Sequence, residues 1–511
     1  MRALIYASFR CAELLLALYQ SFSSAEKELS ETVLHLEAFW FKAKYQLEFI
    51  HEKWSVFDDD FRIHQLKLLD GLEKELRVMT KEVEKISFSY ERDGRSLLAV
   101  FRRHGKKLKY AVLVKESLET MLKKLGHWQD SFDMSWYLIL RQPLDPLRGM
   151  TDYQNIEVTR ADTPVRSLLR LSRIDHNQAS AEDLLLQETC SPHEELPCSS
   201  AVMVWYGAHE AEEALILDTI VQASYSQQKT GQEDIKRIVT TLQAIEPVRF
   251  GLLQCRGVIK SHEGQAATYQ FAFTIPPHTH KPRSLRDLLL GDKPYTLNQR
   301  LQVAKQMSRA VMLVHAASFV HKNIRPATVI VLEEKKDPQQ VWPFLVGFET
   351  FRPAEGQTFR QGDESWGKNL YRHPERQGLR PDRDFRMQDD IYSLGVCLLE
   401  IGLWHSFLLW LPEKKIFQPD PDLKTDGLAK RGDMQRNAVK TKKILVALAK
   451  EKLPYTMGNL YTNLVVTCLT CLDKSSNAFG TEDELDDDDK GISVALRYIE
   501  VVWTALQDIA V

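Results

Sequence analysis

The sequence predicts a multidomain protein, with an all-α helical bundle followed by an α+β region in which a small sheet precedes a helical lobe. Its 511 residues suffice for about two to four domains. The first 160 residues have no proline before Pro143, few glycines, and apolar residues at helical spacing. After residue 200, short β-rich runs come first, and mostly helical sequence follows from about Pro276.

Helical signals dominate residues 1–160. Ser23 and Glu26 have the spacing of a capping box and predict a helix that runs through Trp54. The acidic residues 58–60 suit the start of the next helix, because carboxylates favour its exposed N–H groups. That helix carries a continuous apolar stripe: Leu66, Leu69, Leu72, Leu76, Met79, Val83 and Ile86. The stripe has to be buried, which indicates an antiparallel bundle, with a long coiled-coil dimer as the alternative.

A basic cluster lies further along the N-terminal region. It contains Arg102, Arg103, Lys106, Lys107 and Lys109. A solvated helix face is one interpretation. The other is attraction to anionic lipid headgroups, at about 1 kcal/mol for each basic residue near the surface. A bundle that releases its apolar first helix could bury that helix in a membrane.

Residues 161–199 are predicted to form a linker with one short amphipathic helix, PVRSLLRLSRI (164–174). The first β-rich runs then follow: AVMVWY (201–206), FGLLQCRGVI (250–259) and TYQFAFTI (268–275). A helical segment around residues 235–245 lies between the first two runs. A small sheet with one helix is therefore expected before the helical lobe.

Composition excludes several classes of protein. A net charge of −3 argues against a dedicated nucleic-acid binder. Seven cysteines in this length do not make a disulfide framework, and the pair Cys468 and Cys471 has no second pair beside it. We interpret that pair as two buried small residues. No transmembrane helix and no secretory cleavage site is evident, so we expect a cytoplasmic protein.

Four motifs in the second half resemble protein kinases, in order and in spacing. LVHAASFVHKNIRPATVIVL (313–332) resembles the catalytic loop, and PFLVGFET (343–350) resembles the segment that holds the metal-binding D-F-G. YRHPE (371–375) is similar to the A-P-E motif, and DDIYSLGVCLLEIGLW (389–404) is similar to the buried helix after it. SLRDLLL (284–290) fits the helix after the hinge. The resemblance implies a two-lobed protein-kinase-like fold over residues 200–511.

The chemical positions of those motifs depart from the kinase pattern. Asn323 stands where kinases have the catalytic Asp, and a neutral amide cannot act as that base. Losing a general base typically costs about 10²–10⁴ in rate. Arg325 replaces the loop Lys, and Thr328 replaces the Asn that holds a magnesium ion. Gly347 replaces the D-F-G Asp and offers no side-chain oxygen, while Glu349 is a poor substitute.

The nucleotide-binding residues are equally sparse. No G-x-G-x-x-G occurs near the first strands, and no lysine lies between Pro197 and Gln228 to contact phosphates. We therefore expect no catalytic, cofactor-binding or metal-binding residues, and interpret the region as a pseudokinase. An atypical active Ser/Thr kinase that binds ATP is the alternative.

The residues that match the kinase skeleton are retained. His321 and Phe348 match the two packing positions that couple the catalytic loop to the core. Asp390 matches the helix Asp that hydrogen-bonds the loop backbone. Glu375 matches the Glu that pairs with a distant arginine, whose identity the sequence does not reveal. The resemblance implies structural roles for all four.

The whole chain resembles fungal proteins that join a HeLo-type (prion-inhibition and propagation) helical domain, here residues 1–160, to a degenerate kinase-like domain. In the first half the match lies in RCAELLLALYQSFSSAEKELSETVLHLEAFWFKAKYQLEFI (10–50). HeLo-type domains often begin with a more continuous apolar helix, so a truncated gene model is one interpretation of this start, and it would weaken the expectation of membrane insertion. The architecture is also similar to that of the animal mixed lineage kinase domain-like protein.

That resemblance implies a regulator in cell-death or incompatibility signalling. We expect protein partners, contact with anionic membrane lipid on activation, and a homo-oligomer as a further option, but no nucleic acid and no cofactor. A signalling adaptor or scaffold without membrane action is the alternative to this function.

Overall fold

The computed structural model divides the chain into two compact units, Met1–Val165 and Arg166–Val511. The described residues are 1–23, 27–91, 119–133, 135, 186, 194–206, 213–221, 228–263, 266–317, 319–348, 352–353, 365–411, 416–423, 434–473, 478–479 and 492–509. The finer division of the chain at residues 160 and 200 stays a prediction.

The N-terminal unit is helical in its described part. Helix α1 spans Arg2–Ser23, α2 spans Lys27–Lys53, α3 spans Asp59–Glu91, and α4 covers residues 119–133. The Asp58 carboxylate caps α3, since it accepts a hydrogen bond from the backbone N of Phe61 at 2.7 Å. The acidic residues therefore begin this helix as the sequence predicts. Glu26 of the expected capping box lies outside the described residues.

The first three helices pack against one another within the chain. Nε of Arg2 lies 2.8 Å from Nε2 of His51, and the rings of Phe9 and Trp40 are 5.6 Å apart. Helices α1 and α2 are therefore antiparallel. Helix α1 also packs on α3, where four members of the predicted stripe are buried: Leu69, Leu72, Leu76 and Met79. The stripe is thus covered within one chain, as in a bundle. The side chains of Val83 and Ile86 lie outside the described set.

A polar layer crosses the interior between α2 and α4. The buried Asp133 carboxylate accepts hydrogen bonds from Nζ of Lys42 at 2.6 Å, Nε2 of Gln46 at 3.0 Å and Nε2 of Gln129 at 2.7 Å. Gln129 also donates to the Gln46 side-chain oxygen at 2.8 Å. A buried charge pair is favourable only when its hydrogen bonds are complete, so this layer specifies how α4 lies against α2.

Among the helices that the structure describes, none is both long and apolar enough to cross a membrane. The basic cluster that contains Arg102, Arg103, Lys106, Lys107 and Lys109 falls in the undescribed residues between α3 and α4. Its contact with lipid therefore stays a prediction.

A five-stranded antiparallel sheet comes first in the described part of the second unit. Its strands are β1 (Glu194–Glu195), β2 (Val202–Tyr206), β3 (Glu213–Val221), β4 (Cys255–Glu263) and β5 (Ala266–Thr274). The strand order is β1-β2-β3-β5-β4. Between β3 and β4, the chain forms helix α5 (Gln228–Gln243) and a single turn, α6 (Pro247–Phe250).

The three predicted β-rich runs correspond to β2, β4 and β5. Strand β1 lies inside the segment expected to be linker, because Glu194 and Glu195 pair with Met203 and Val202 of β2. Strand β3 was not predicted. Its sequence EALILDTIV (213–221) lies in the sheet between β2 and β5, so it forms the centre of the sheet.

The region after Pro276 contains more strand than the sequence predicts. Its elements in order are β6 (Thr279–Ser284), α7 (Leu285–Leu290), α8 (Leu297–Ala316), β7 (Phe319–Val320), β8 (Val329–Glu334), β9 (Val341–Leu345), β10 (Arg352–Pro353), α9 (Trp366–Asn369), α10 (Met387–Leu403), β11 (Leu408–Leu411), β12 (Ile416–Pro419), α11 (Met434–Thr456), α12 (Gly458–Leu469), α13 (Ile492–Tyr498) and α14 (Thr504–Gln507). Strands β6, β8 and β9 form one small antiparallel sheet.

Helix α10 is the centre of this region, because every residue from Met387 to Gly402 is buried. It packs against α8, α11 and α12. The contact with α12 is close: a Cβ on Gly395 would lie 2.8 Å from the Cβ of Cys468. A helix enclosed in this way is a rigid support for side chains at its first turn.

Cys468 and Cys471 are both buried beside α10. Burial raises the pKa of the Cys468 thiol to about 12, so this thiol stays protonated at neutral pH. In the part of the chain that the structure describes, no group of three or more His, Cys, Asp or Glu side chains could hold a metal ion. The pair fits the interpretation as small core residues.

Candidate functional site

The segment that resembles a kinase catalytic loop is anchored to α10 through Asp390. The carboxylate is fully buried and accepts hydrogen bonds from the backbone N of His321 at 2.7 Å and of Lys322 at 2.9 Å. It also lies 3.1 Å from Nε2 of His315 on α8. Lys322 has φ of 64°, a left-handed conformation that is costly for a residue with a Cβ. The Asp390 contacts hold the loop in this strained conformation.

The structure brings Asn323, Arg325, Thr328 and Gly347 together. Asn323 is buried, its Nδ2 donates to the Gly347 carbonyl at 3.1 Å, and its Oδ1 accepts from Nε of Arg325 at 2.8 Å. The Thr328 hydroxyl lies 2.7 Å from the Asn323 carbonyl and 2.9 Å from that of Arg325. The polar groups of the loop thus bind one another, and both the nitrogen and the oxygen of the Asn323 side-chain amide are hydrogen-bonded.

Gly347 occupies a position where any side chain would be strained. Its φ is +90°, and a Cβ placed on it would lie 2.4 Å from Cγ2 and 2.7 Å from Cβ of Thr328. Real Cβ atoms do not approach other carbon atoms this closely. The Cβ of an aspartate at position 347 would therefore collide with Thr328 unless Thr328 moved.

Asp218 on β3 completes the cluster, and sequence reasoning missed it. The side chain is buried, and its Oδ2 accepts hydrogen bonds from the backbone N of Gly347 and of Phe348, each at 2.8 Å. Bonds from neutral donors to a carboxylate are stronger than bonds between neutral groups. The available signal was one acidic residue within the apolar run ALILDTIV (214–221). The Asp218 contacts bind the five-stranded sheet to the segment after β9.

Aromatic rings reinforce that connection. The Phe348 ring is fully buried and lies 4.8 Å from the His321 ring, measured between centroids. On the other side it lies 6.2 Å from Phe271 and 6.3 Å from Phe273, both on β5. All three pairs are tilted, and their centroid distances lie in the range of ring contacts in protein cores. His321 and Phe348 thus form a continuous packed path from the sheet to the loop.

Among the described residues, Glu375 pairs with an arginine close to it in the chain, and a distant partner stays a prediction. Its carboxylate lies 2.6 Å from Nε of Arg383, eight residues further along the chain. Arg383 also binds both oxygens of Asp389, each at 2.8 Å. Burial works against the charge of Arg383, but Asp389 and Glu375 outweigh it and raise its pKa. The partner was missed because the expectation came from the kinase pattern and not from local spacing.

A buried histidine lies beside this pair. Nζ of Lys442 on α11 is 3.2 Å from Nε2 of His373, and an Arg383 nitrogen is 3.4 Å from its Nδ1. Burial lowers the pKa of His373 to about 2, with further lowering by Lys442 and Arg383. His373 is therefore neutral at physiological pH. Nζ of Lys442 in turn forms an ion pair with the Asp473 carboxylate at 2.5 Å.

A second buried ion pair joins α7 to α10. An Arg286 guanidinium nitrogen lies 2.7 Å from the Glu400 carboxylate, and both side chains are almost fully buried. The Tyr371 hydroxyl hydrogen-bonds Arg286 and donates to Glu400 at 2.8 Å. The Phe407 backbone N donates to the same carboxylate at 2.7 Å. This network fixes YRHPE (371–375) against the helix core.

Comparisons with known proteins give no family assignment. No protein-family model matches the chain, and neither does any curated protein. One chain in the solved structure of the CAK complex from Chaetomium thermophilum, bound to ATP-γ-S, is similar with a TM-score of 0.36 and 16% sequence identity. That match covers 61% of this chain and 90% of the other chain. A likeness this distant supports no assignment of fold or activity.

Proposed function

We propose that residues 200–511 form a two-lobed protein-kinase-like domain that has no phosphotransfer activity and regulates the helical N-terminal region. Two features of the second unit support the kinase-like fold. The antiparallel sheet has order β1-β2-β3-β5-β4 with α5 between β3 and β4. The loop at residues 321–328 is then fixed by Asp390 at the first turn of a buried helix.

The contact of Asp218 with Gly347 and Phe348 is the observation that carries the proposal. In kinases, the third strand of the sheet supplies the lysine that contacts the nucleotide phosphates. Here strand β3 supplies a carboxylate. Two like charges that lie close together repel, and the repulsion is larger where little water screens it. Asp218 thus opposes phosphate binding where a lysine would favour it.

The residues present do not fit a magnesium–nucleotide complex. Mg²⁺ in such sites is bound by one or two carboxylates together with phosphates and water. Gly347 offers no side chain, and Thr328 fills the space beside it. The Asn323 side chain is bound to the Gly347 carbonyl and to Arg325. No step of phosphoryl transfer is therefore assigned to these side chains.

Nucleotide binding by the purified full-length chain tests the proposal. We expect no magnesium-dependent thermal shift with ATP and no transfer of labelled γ-phosphate to the chain or to a generic acceptor protein. An active kinase at the same concentration is the positive control. A magnesium-dependent shift, or autophosphorylation that is lost in Asn323→Ala, would instead favour the atypical active kinase.

We further propose that this regulation serves signalling in cell death, and that the chain contacts anionic lipid when it signals. The resemblance to HeLo-type proteins and the basic residues Arg102, Arg103, Lys106, Lys107 and Lys109 support this part. The full chain is expressed in yeast under an inducible promoter, and the purified chain is floated with phosphatidylserine or phosphatidylcholine vesicles.

We expect growth arrest and binding to the anionic vesicles alone, and we expect glutamate at the five basic positions to abolish both. The matched control is glutamate at five basic positions outside this cluster. Normal growth without vesicle binding, together with protein partners in pull-downs, would favour an adaptor without membrane action. Sedimentation of the same preparation decides whether the chain is a homo-oligomer.

A further inference from the structure

We propose that Asp218 is an internal anionic ligand that permanently fastens the segment 346–348 to the five-stranded sheet, so that no nucleotide is needed to join them. The inference deepens the proposed function, but it rests on the contacts of Asp218 and not on the lack of phosphotransfer. We call this contact the latch. Its fixed half is the Asp218 carboxylate on β3, and its receiving half is the pair of backbone N–H groups of Gly347 and Phe348, after β9.

The fixed half is held rigidly. Asp218 lies opposite Phe271 in the β3–β5 pairing, and the pairing of β3 with β2 reaches the preceding residue, Leu217, which lies opposite Val202. The neighbouring residues Ile216 and Leu217 are buried. Pairing with β5 at Asp218 itself and with β2 up to Leu217 leaves the backbone of this residue little freedom to move away. The carboxylate therefore stays in place without help from a bound molecule.

The receiving half is bound from two directions. The Gly347 N–H donates to Asp218 at 2.8 Å, while the Gly347 carbonyl accepts from Asn323 at 3.1 Å. The residue before it is also fixed, because the Val346 N–H donates to the Thr328 carbonyl at 2.8 Å. A positive φ at Gly347 directs two successive N–H groups to one oxygen of Asp218. Consecutive backbone N–H groups of this kind form an anion-binding concavity.

Asp218 is therefore chemically equivalent to a captured anion. A diffusible anion would have to bind and could leave, whereas a tethered carboxylate is always present at high effective concentration. The two charge-assisted bonds are shielded from water because Asp218 is 1% exposed. The sheet and the loop stay joined whatever the nucleotide concentration, so any signal that separates them has to act on other contacts.

Hydrogen exchange in the full-length chain tests the latch. The observed peptide covers residues 341–348, which includes both N–H donors. Asp218→Asn keeps the shape of the side chain and removes the charge, and we expect exchange in this peptide to become about tenfold faster or more. Asp218→Lys points an ammonium group at two donors and is expected to accelerate exchange further than Asp218→Asn. The exposed Asp292→Asn is the matched control and should leave the peptide unchanged.

Circular dichroism and exchange within α10, the buried helix of the same unit, establish that each variant is folded. Wild-type exchange in the 341–348 peptide of folded Asp218→Asn would overturn the latch, and so would an Asp218→Lys variant no more perturbed than Asp218→Asn. If Asp218→Lys does not fold, Asp218→Asn alone decides. Binding of Mg·ATP by the wild-type chain would overturn the proposed function, whereas exchange in Asp218→Asn judges the latch separately.

Discussion

Substituting Gly347 by alanine is the sharpest test of how tightly this site is packed. Two costs follow from the geometry. A residue with a Cβ in the left-handed region costs about 1–2 kcal/mol. The new Cβ would also lie 2.4 Å and 2.7 Å from two carbons of Thr328, and overpacking a dense core costs about 1–3 kcal/mol. We expect Gly347→Ala to lower the free energy of unfolding by about 2–5 kcal/mol.

The assay is urea unfolding of the full-length chain, followed by tryptophan fluorescence. The matched control is Gly291→Ala, because Gly291 has φ of −76° and a Cβ there would come no closer than 3.4 Å to another atom. Thr328→Ser removes the methyl group that makes the 2.4 Å contact but keeps the hydroxyl. The double variant Gly347→Ala/Thr328→Ser should therefore recover about 1 kcal/mol relative to the sum of the single changes.

Two results would refute this reasoning. Gly347→Ala could cost no more than Gly291→Ala, or the double variant could show simple additivity. Either outcome would mean that the loop relaxes to accept a side chain, and then the steric argument against a metal-binding aspartate at this position would also fail.

Three further substitutions test buried charges. Arg286→Met leaves the Glu400 carboxylate buried without its cation. We expect the free energy of unfolding, obtained from the shift of the denaturation midpoint, to fall by about 3–5 kcal/mol. His373→Gln should flatten the acid limb of the stability–pH curve. The pKa of His373 is lowered from 6.5 to about 2, so below pH 6.5 only the unfolded chain gains its proton, and the wild type loses up to about 1.4 kcal/mol per pH unit. Lys42→Met should cost about 3 kcal/mol, and adding Asp133→Leu should restore most of it.

Each of these expectations can fail in a distinct way. An unchanged midpoint for Arg286→Met would show that Glu400 is neutral or reached by water. Parallel stability–pH curves for the wild type and His373→Gln would show that His373 is protonated in the folded chain. A double variant less stable than Lys42→Met would show that Asp133 is stabilised mainly by the two glutamine amides.

Local patterns were sufficient to predict much of the fold. Helices α2 and α3 follow from apolar periodicity and from the acidic residues near Asp58, which all act over a few residues. Strand β1 is only two residues long, and it exists because Glu194 and Glu195 pair with β2. No pattern within such a short segment distinguishes it from linker. Strand β3 does have an apolar run, but its acidic residue hid the pattern.

The candidate site was predictable in part. The resemblance to kinases grouped Asn323, Arg325, Thr328 and Gly347, since these positions of two neighbouring motifs share one site in kinases. The role of Asp218 required two facts that no local pattern contains. One is the register of β3 against β5, and the other is that the carboxylate meets a backbone N–H 129 residues further along the chain.

The polar layer between α2 and α4 has a consequence for how the N-terminal region folds. Sliding α4 along α2 by one turn, about 5.4 Å, would carry Asp133 away from Lys42 and Gln46 and leave a bare charge in an apolar interior. Misaligned intermediates are thereby raised in energy, so few compete with the correct docking. Residues 42 and 133 are 91 positions apart, so one buried ion pair fixes the alignment of two helices that are distant in the chain.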